Sequence, residues 1–473
     1  MRRVCLFFAI VSVGIVVSPP VAAQIYVKAD ATGANDGTSW TDAYTDLKDA
    51  LTAAISGDEI WVAAGTYYPT PAVDRFATFQ LKNGVTIFGG FAGTETSIVE
   101  RDFVTNVTIL SGDIGVPGDS TDNSLHVVTG AAVLATAILD GFTVTAGNAN
   151  LQTHWRGGGI KIDSSPTLAN LIIFRNSCGY RFVSQTSTVT KPGKGGGLHN
   201  LGGSPTLDNV QFRSNTARWP NSLGGGIHSE NGNVQLTNVA FTANVADYGG
   251  GGISLEGGNA VINQATFTDN SGPVGAGLAG WASGGTSIDL SDAVFEYNNG
   301  YGVFFSAFAG TFTMNRVDVR FNNGTGLGLS NAVHAVIDGC TFEGNTGGGI
   351  DGRNGSMATI TNSSFVDNGA IGSGGAILWV DVTVDNCLFV GNTGPNYGGA
   401  IAATGSVTNS TFTGNSASVF GGAISIAGTV TDCVFRENSA TFGGGAIHGE
   451  GTFTNILCYD NSAPKGGAIY VDG

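Results

Sequence analysis

Hydrophobic and polar positions recur in this chain with a spacing of 22 to 24 residues through most of the C-terminal half, and the spacing loosens toward the N-terminus. Phe389, Phe412 and Phe435 are each followed three residues later by an asparagine: Asn392, Asn415 and Asn438. Phe212, Phe241, Phe267, Phe295, Phe342 and Phe365 stand in the same relation to their own asparagines. Two residues before each Phe is a small or apolar side chain such as Val210, Ala265, Cys340, Ser363, Cys387, Ser410 or Cys433. Three residues before it the side chain is mostly polar, as at Asn209, Asn238, Asp292, Asn409 and Asp432. This alternation predicts a strand with one buried face. A second strand falls on the motif GGAI, which begins at 374, 398, 421, 444 and 466 and points Ile401, Ile424 and Ile447 inward.

A fixed period of this size predicts a solenoid. Two short strands with their turns, and room for a third, fill one coil of a parallel β-helix, and the chain holds about 16 to 18 such coils. Equivalent phenylalanines and isoleucines then stack about 4.8 Å apart. The repeated Asn is expected at a corner, in left-handed backbone, with its amide in a ladder along the axis. Cys340, Cys387 and Cys433 share one inward column with Ser363 and Ser410 between them, which spaces them too far apart for a disulfide. Residues 24–156 keep the strand character without the clean period, and 157–473 carry the regular repeats. Within the first part SWTDAYTDLKDALTAAISG reads as an amphipathic helix, with Tyr44, Leu47, Leu51 and Ile55 on its apolar face and Ser39 or Thr41 as N-cap. That helix is expected to cap the open end of the solenoid. The last residues, GGAIYVDG, stop inside a repeat, which reads as a truncated end.

Composition narrows the function. Glycine, at 75 of 473 residues, is about twice its usual share, and charged residues, at 12%, are about half theirs. The net charge of −16 argues against nucleic acid as a partner. Residues 1–23, with Arg2 and Arg3, an apolar run and a final Val-Ala-Ala, read as a signal peptide cut before Gln24, so the protein is expected to be secreted or displayed on the cell surface. No later segment is long and apolar enough to span a membrane. The five remaining cysteines are too few and odd in number for a disulfide framework.

The repeated GGAI and F-x-x-N strings resemble the passenger repeats of the chlamydial polymorphic outer membrane proteins, within the wider class of secreted bacterial right-handed β-helix proteins of the pectin-lyase-like fold. The stretch GANDGTSWTDAYTDLKDALTAA…GDEIWVAAGTYYPT resembles the N-terminal cap of many of these proteins. The resemblance implies an all-β, right-handed parallel β-helix with a capping helix, outer-membrane association, and an adhesive, structural or polysaccharide-degrading role. Its motifs are core and corner residues and carry little about activity. The N-T-D, D-D, G-H-G and R-I-K strings of the related hydrolases do not occur, and neither do W-I-D-H or R-x-P-x-x-R.

Candidate chemistry lies where the repeat breaks. Longer excursions follow Asn148, Asn176 and Asn215 and leave the same corner of successive coils. They carry Trp155, Arg156, Tyr180, Arg181, Arg218 and Trp219, while Lys161, His199 and His228 share one outward column on the strands that follow. Aromatic faces stack on sugar rings and cations pair with carboxylates or sulfates. These residues are therefore candidates for binding an acidic extracellular polysaccharide or cell-surface matrix, with loop packing as the plainer reading. A polysaccharide lyase is the alternative, with Lys161, His199 or Arg181 as base. Glu230 and Glu256, on neighbouring coils, could form a weak cation site, with Glu450 in the same motif position. Asp30, Asn35 and Asp36 could hold calcium, with a solvated Asp/Asn/Gly turn as the plainer reading. No other cofactor and no resident metal is expected, His448 is expected to be an ordinary exposed residue, and the protein is expected to be a monomer.

Overall fold

One period shows how the residues build a coil. The strand Ile401–Thr408 ends at Asn409, whose φ of 48° bends the chain into the strand Thr411–Thr413, where Phe412 is buried. Gly414, at φ 64°, makes the next corner, Asn415 turns inward, and Ser416–Ala417 forms a short third strand. Gly421, also at φ 64°, then opens the next coil. A Cβ there would overlap the Ile424 carbonyl oxygen, so the motif requires glycine at this position. The computed structural model describes residues 22–471 apart from 185–186, 284–285, 309–310 and 371, so the leader read at 1–23 lies almost wholly outside the described residues.

Coils pair in parallel and in register, Phe389 beside Phe412 beside Phe435 and Ile401 beside Ile424 beside Ile447, over about 16 turns. The rings of Phe212, Phe241, Phe267 and Phe295 stack with centroids 4.9, 4.8 and 4.3 Å apart. Val319 interrupts the column, and Phe342 to Phe435 resume it at 4.6 to 4.9 Å. The cysteines of the alternating column are buried and unpaired, and burial raises the thiols of Cys340 to about 12 and of Cys387 and Cys433 to about 11.

The corner differs from expectation. The ladder asparagines are buried and do not have positive φ. Left-handed backbone falls instead on the residue before each, such as Ser214, Ala243, Gly391, Gly414 and Glu437. It falls also on the polar residue three before each Phe, such as Asn209, Asn386, Asn409 and Asp432. The latter is therefore a bend, and the strand is correspondingly shorter than the alternation suggests. The physical reason is satisfaction of polar groups. The Asn415 amide turns inward, accepts from the backbone N and Nδ2 of Asn392, and donates to the Phe389 carbonyl at 3.0 Å. The bend residues build a second ladder outside, as in Asn386 Nδ2 to Asn362 Oδ1 at 2.7 Å.

The helix is also shorter than expected. It spans Leu47–Ala53 and is capped by Asp46, which accepts from Lys48 N, whereas the Ser39 hydroxyl is spent on Asp42. Leu47, Ala50 and Leu51 bury against the first strands, Tyr44 joins Val27 in a β-bridge, and Ile55 is exposed. Among the described residues no helix is long and apolar enough to cross a membrane.

Candidate functional site

In each coil the strand after the glycine motif alternates an inward aliphatic with an outward position. In register, the outward column reads Gln80, Thr129, Lys161, His199, His228. Its first half floors a groove of about 410 Å³, with Phe76, His154, Asp163 and Leu201 among its walls. Thr129 donates to Gln80 Oε1 at 2.8 Å, and Thr78 donates to Thr129 at 3.2 Å. Lys161 lines the groove, half-buried, and its ammonium makes no hydrogen bond or ion pair with any described residue. His126 lies alongside, its Nδ1 2.8 Å from the Gly157 carbonyl oxygen and its Nε2 buried without a partner among the described residues. Burial lowers it to about 4, and nearby Lys161 and His154 push in the same direction, so it is neutral at pH 7. A smaller cavity of about 210 Å³, lined by Phe103, Phe142 and Arg213 among others, shares no residue with this groove.

The second half of the column is covered. His199 and His228 face outward as expected, yet they are 1% and 0% exposed, which corrects the reading of a free histidine surface. Arg156 and Lys194, bridged on adjacent coils, and Glu230 and Glu256, paired on the next two, form an ionic layer around the rings. Glu230 lies 3.0 Å from Arg156 and 3.4 Å from Lys194, and Glu256 lies 2.5 Å from Lys194. The chain's own cations thus sit where Glu230 and Glu256 could form a weak cation site, and exposed Glu450 is no part of the cluster. Burial drives His199 down to about 3 and lowers His228. The approach of His199 to Glu230 and of His228 to Glu256, reinforced by Lys194, holds both carboxylates near 2.

The excursions do lie side by side, as the short strands Asn148–Ala149, Ser177–Cys178, Thr216–Ala217 and Val245–Ala246 pair in one sheet. Tyr180–Val183 and Thr188–Lys191 form an antiparallel hairpin above them. The aromatic faces are partly used internally: Arg156 lies 4.2 Å over the Trp155 ring and Arg181 lies 5.2 Å over Trp219. Arg218 is exposed and Tyr180 half-buried. The candidate residues therefore separate into three groups: Lys161 in the groove, His199 and His228 with Arg156 in the ionic cluster, and Trp155, Tyr180, Arg181, Arg218 and Trp219 on the loops. His126, Gln80, Thr129 and Phe76 escape sequence reasoning. Thr129 stands 49 residues after Gln80, so the regular period could not align them.

His448 is not an ordinary exposed residue, since it stacks 4.5 Å from Phe420 and 5.9 Å from Tyr470, with Nδ1 3.1 Å from the Ser425 hydroxyl. At the N-terminus, Asp36 accepts from the backbone and hydroxyl of Thr38, Asn35 accepts from Thr45, and Asp30 lies 3.8 Å from Lys28.

These features define a right-handed parallel β-helix with a groove on one face. Residues 305–463 match the family model described as a right handed beta helix region. No curated protein matches the chain by sequence. Among solved structures it is similar to the pectate lyase Pel9A, at 13% identity, TM-score 0.38, over 78% of this chain and 80% of that one. It is similar also to the periplasmic alginate epimerase AlgG, at 9% identity, TM-score 0.42, over 71% of this chain and 78% of that one. The surface adhesin PfbA of Streptococcus pneumoniae matches at 10% identity, TM-score 0.27, over 90% of this chain and 87% of that one. At such identities and scores none of them informs the activity of this chain.

Proposed function

We propose that the protein is an exported β-helix that binds an acidic polysaccharide in the groove around Lys161. One observation carries this reading: an ammonium group without a partner among the described residues lines a groove with a hydroxyl and amide floor and an aromatic rim, on a chain of charge −16. Such a cation recognises a carboxylate or sulfate, Gln80 and Thr129 offer hydrogen bonds to sugar hydroxyls, and Phe76, 62% exposed, offers a face for a ring. The repeats' resemblance to the chlamydial passengers supports surface display. Affinity electrophoresis in a polyuronate gel tests it. Lys161→Met is expected to weaken retardation at least tenfold, and added salt is expected to weaken the native interaction. Equal retardation of the native chain and Lys161→Met, or equal retardation in a neutral glucan gel, overturns the reading.

A lyase activity is the second reading, because Lys161 and His154 line the same groove and either could take the proton α to a uronate carboxylate as the 4-linked sugar leaves. Appearance of unsaturated product from polyuronate, lost in Lys161→Met, would establish it. A hydrolase needs paired carboxylates, and Asp163 is the one acid among the described lining residues.

A further inference from the structure

The ionic cluster beside the groove carries chemistry that glycan binding does not use. His199 and His228 stack across adjacent coils, with ring centroids 5.6 Å apart. Neither nitrogen of His199 nor Nε2 of His228 has a hydrogen-bond partner among the described residues, although both rings are buried. A buried polar atom without a partner calls for an explanation, one of which is a bound ion. The His228 Nδ1 is 3.1 Å from the Ser254 hydroxyl, a contact that orients the ring and leaves Nε2 as its free nitrogen.

Those free nitrogens face carboxylates. His228 Nε2 lies 3.3 Å from Glu256 Oε2 and 4.0 Å from Glu230 Oε2, and His199 Nε2 lies 3.9 Å from Glu230 Oε2. Ligand atoms of His199, His228 and Glu230 all fall within 4.8 Å of one another. A tetrahedral ion with ligands at about 2.0–2.1 Å needs ligand atoms about 3.4 Å apart. We propose that His199, His228, Glu230 and Glu256 form a binding site for a divalent transition ion of the zinc type, in which the ion takes the position that Lys194 otherwise holds between the two carboxylates.

Two features favour this reading over a purely structural ion-pair network. Imidazole with carboxylate selects zinc, cobalt or nickel, whereas calcium and magnesium take all-oxygen sites. The cluster can be reached from solvent, since the Glu230 and Glu256 side chains are 24% and 34% exposed. Arg156, 3.0 Å from Glu230, would remain as the outer partner that orients that carboxylate.

Calorimetric titration of the chelator-treated full chain with zinc chloride, and visible absorption on adding cobalt, test the site. The expected result is one ion per chain, with the absorption of tetrahedral cobalt and no competition from calcium or magnesium. His199→Gln and Glu230→Gln are each expected to weaken zinc binding about 100-fold or more. Lys194→Met, which removes the competing cation, is expected to tighten it. The tightening variant keeps the test sound should a ligand variant fold poorly. Absence of zinc binding by the native chain overturns the proposal, as does binding that survives in His199→Gln/His228→Gln.

Discussion

His126 shows how burial sets chemistry at a single position. Its ring, 8% exposed, is held near 4 by loss of water, against an ordinary value of 6.5, so the folded chain carries it neutral. The unfolded chain would bind a proton there below pH 6.5 and the folded chain only below about 4, so stability falls as pH drops through that window. The full difference is about 3 kcal/mol. His199 and His228 shift in the same direction, so His126→Gln is expected to flatten the acid slope of the melting temperature without abolishing it. Coincident slopes for the two proteins between pH 6.5 and 4 would show that His126 is not buried and neutral. Glu230 and Glu256, held near 2 against an ordinary value of 4.5, add a loss of stability as pH falls from about 4.5 to 2.

At the scale of the element, the corner is stronger than the strand it connects. Strand Thr411–Thr413 is three residues long, yet Asn415 after it ties three coils: it accepts two bonds from Asn392 and donates to Phe389 O and to Asn438 Oδ1. Truncation removes all four of these bonds and leaves the buried backbone N–H of Asn392 without its acceptor, while Asn392 Nδ2 keeps the Phe365 carbonyl. Asn415→Ala is therefore expected to cost about 4 kcal/mol, measured by urea denaturation. A cost below about 1 kcal/mol would mean that water or a rearranged corner satisfies those groups. The strands, corners and inward columns are legible from residue spacing alone. The same spacing overstates the helix, because its period-four apolar residues include Tyr44, which a β-bridge claims, and Ile55, which faces solvent. It also misplaces the left-handed backbone, because the preference of asparagine for positive φ is outweighed by the three buried groups its amide satisfies inward.

At the scale of the whole molecule each coil touches its neighbours and little else, so stability is close to a sum over coils and interfaces. Val407 pairs with Val430 and Phe412 with Phe435, so removing residues 407–429 sets each later residue where its equivalent stood. That deletion is expected to leave a cooperative β-rich fold, shorter by about 4.8 Å in small-angle scattering. Removing residues 407–418 instead breaks the register and is expected to lose the cooperative melt. If both deletions behave alike, the coil is not the folding unit.

Repetition alone dictates the rod. A residue that must stack on its own equivalent is constrained by the period, so spacing by itself places Phe412, Ile424 and Cys433 on the inward face. The functional surface arises where the period fails, and there only the tertiary structure could decide. The N-terminal coils bring Gln80 and Thr129, 49 residues apart, into register with Lys161. Arg156 and Lys194 fold over histidines that the column pattern leaves outside. Such contacts depend on the length and path of each excursion rather than on any repeated spacing. For that reason the column pattern puts His199 and His228 on the correct face and is silent about their burial.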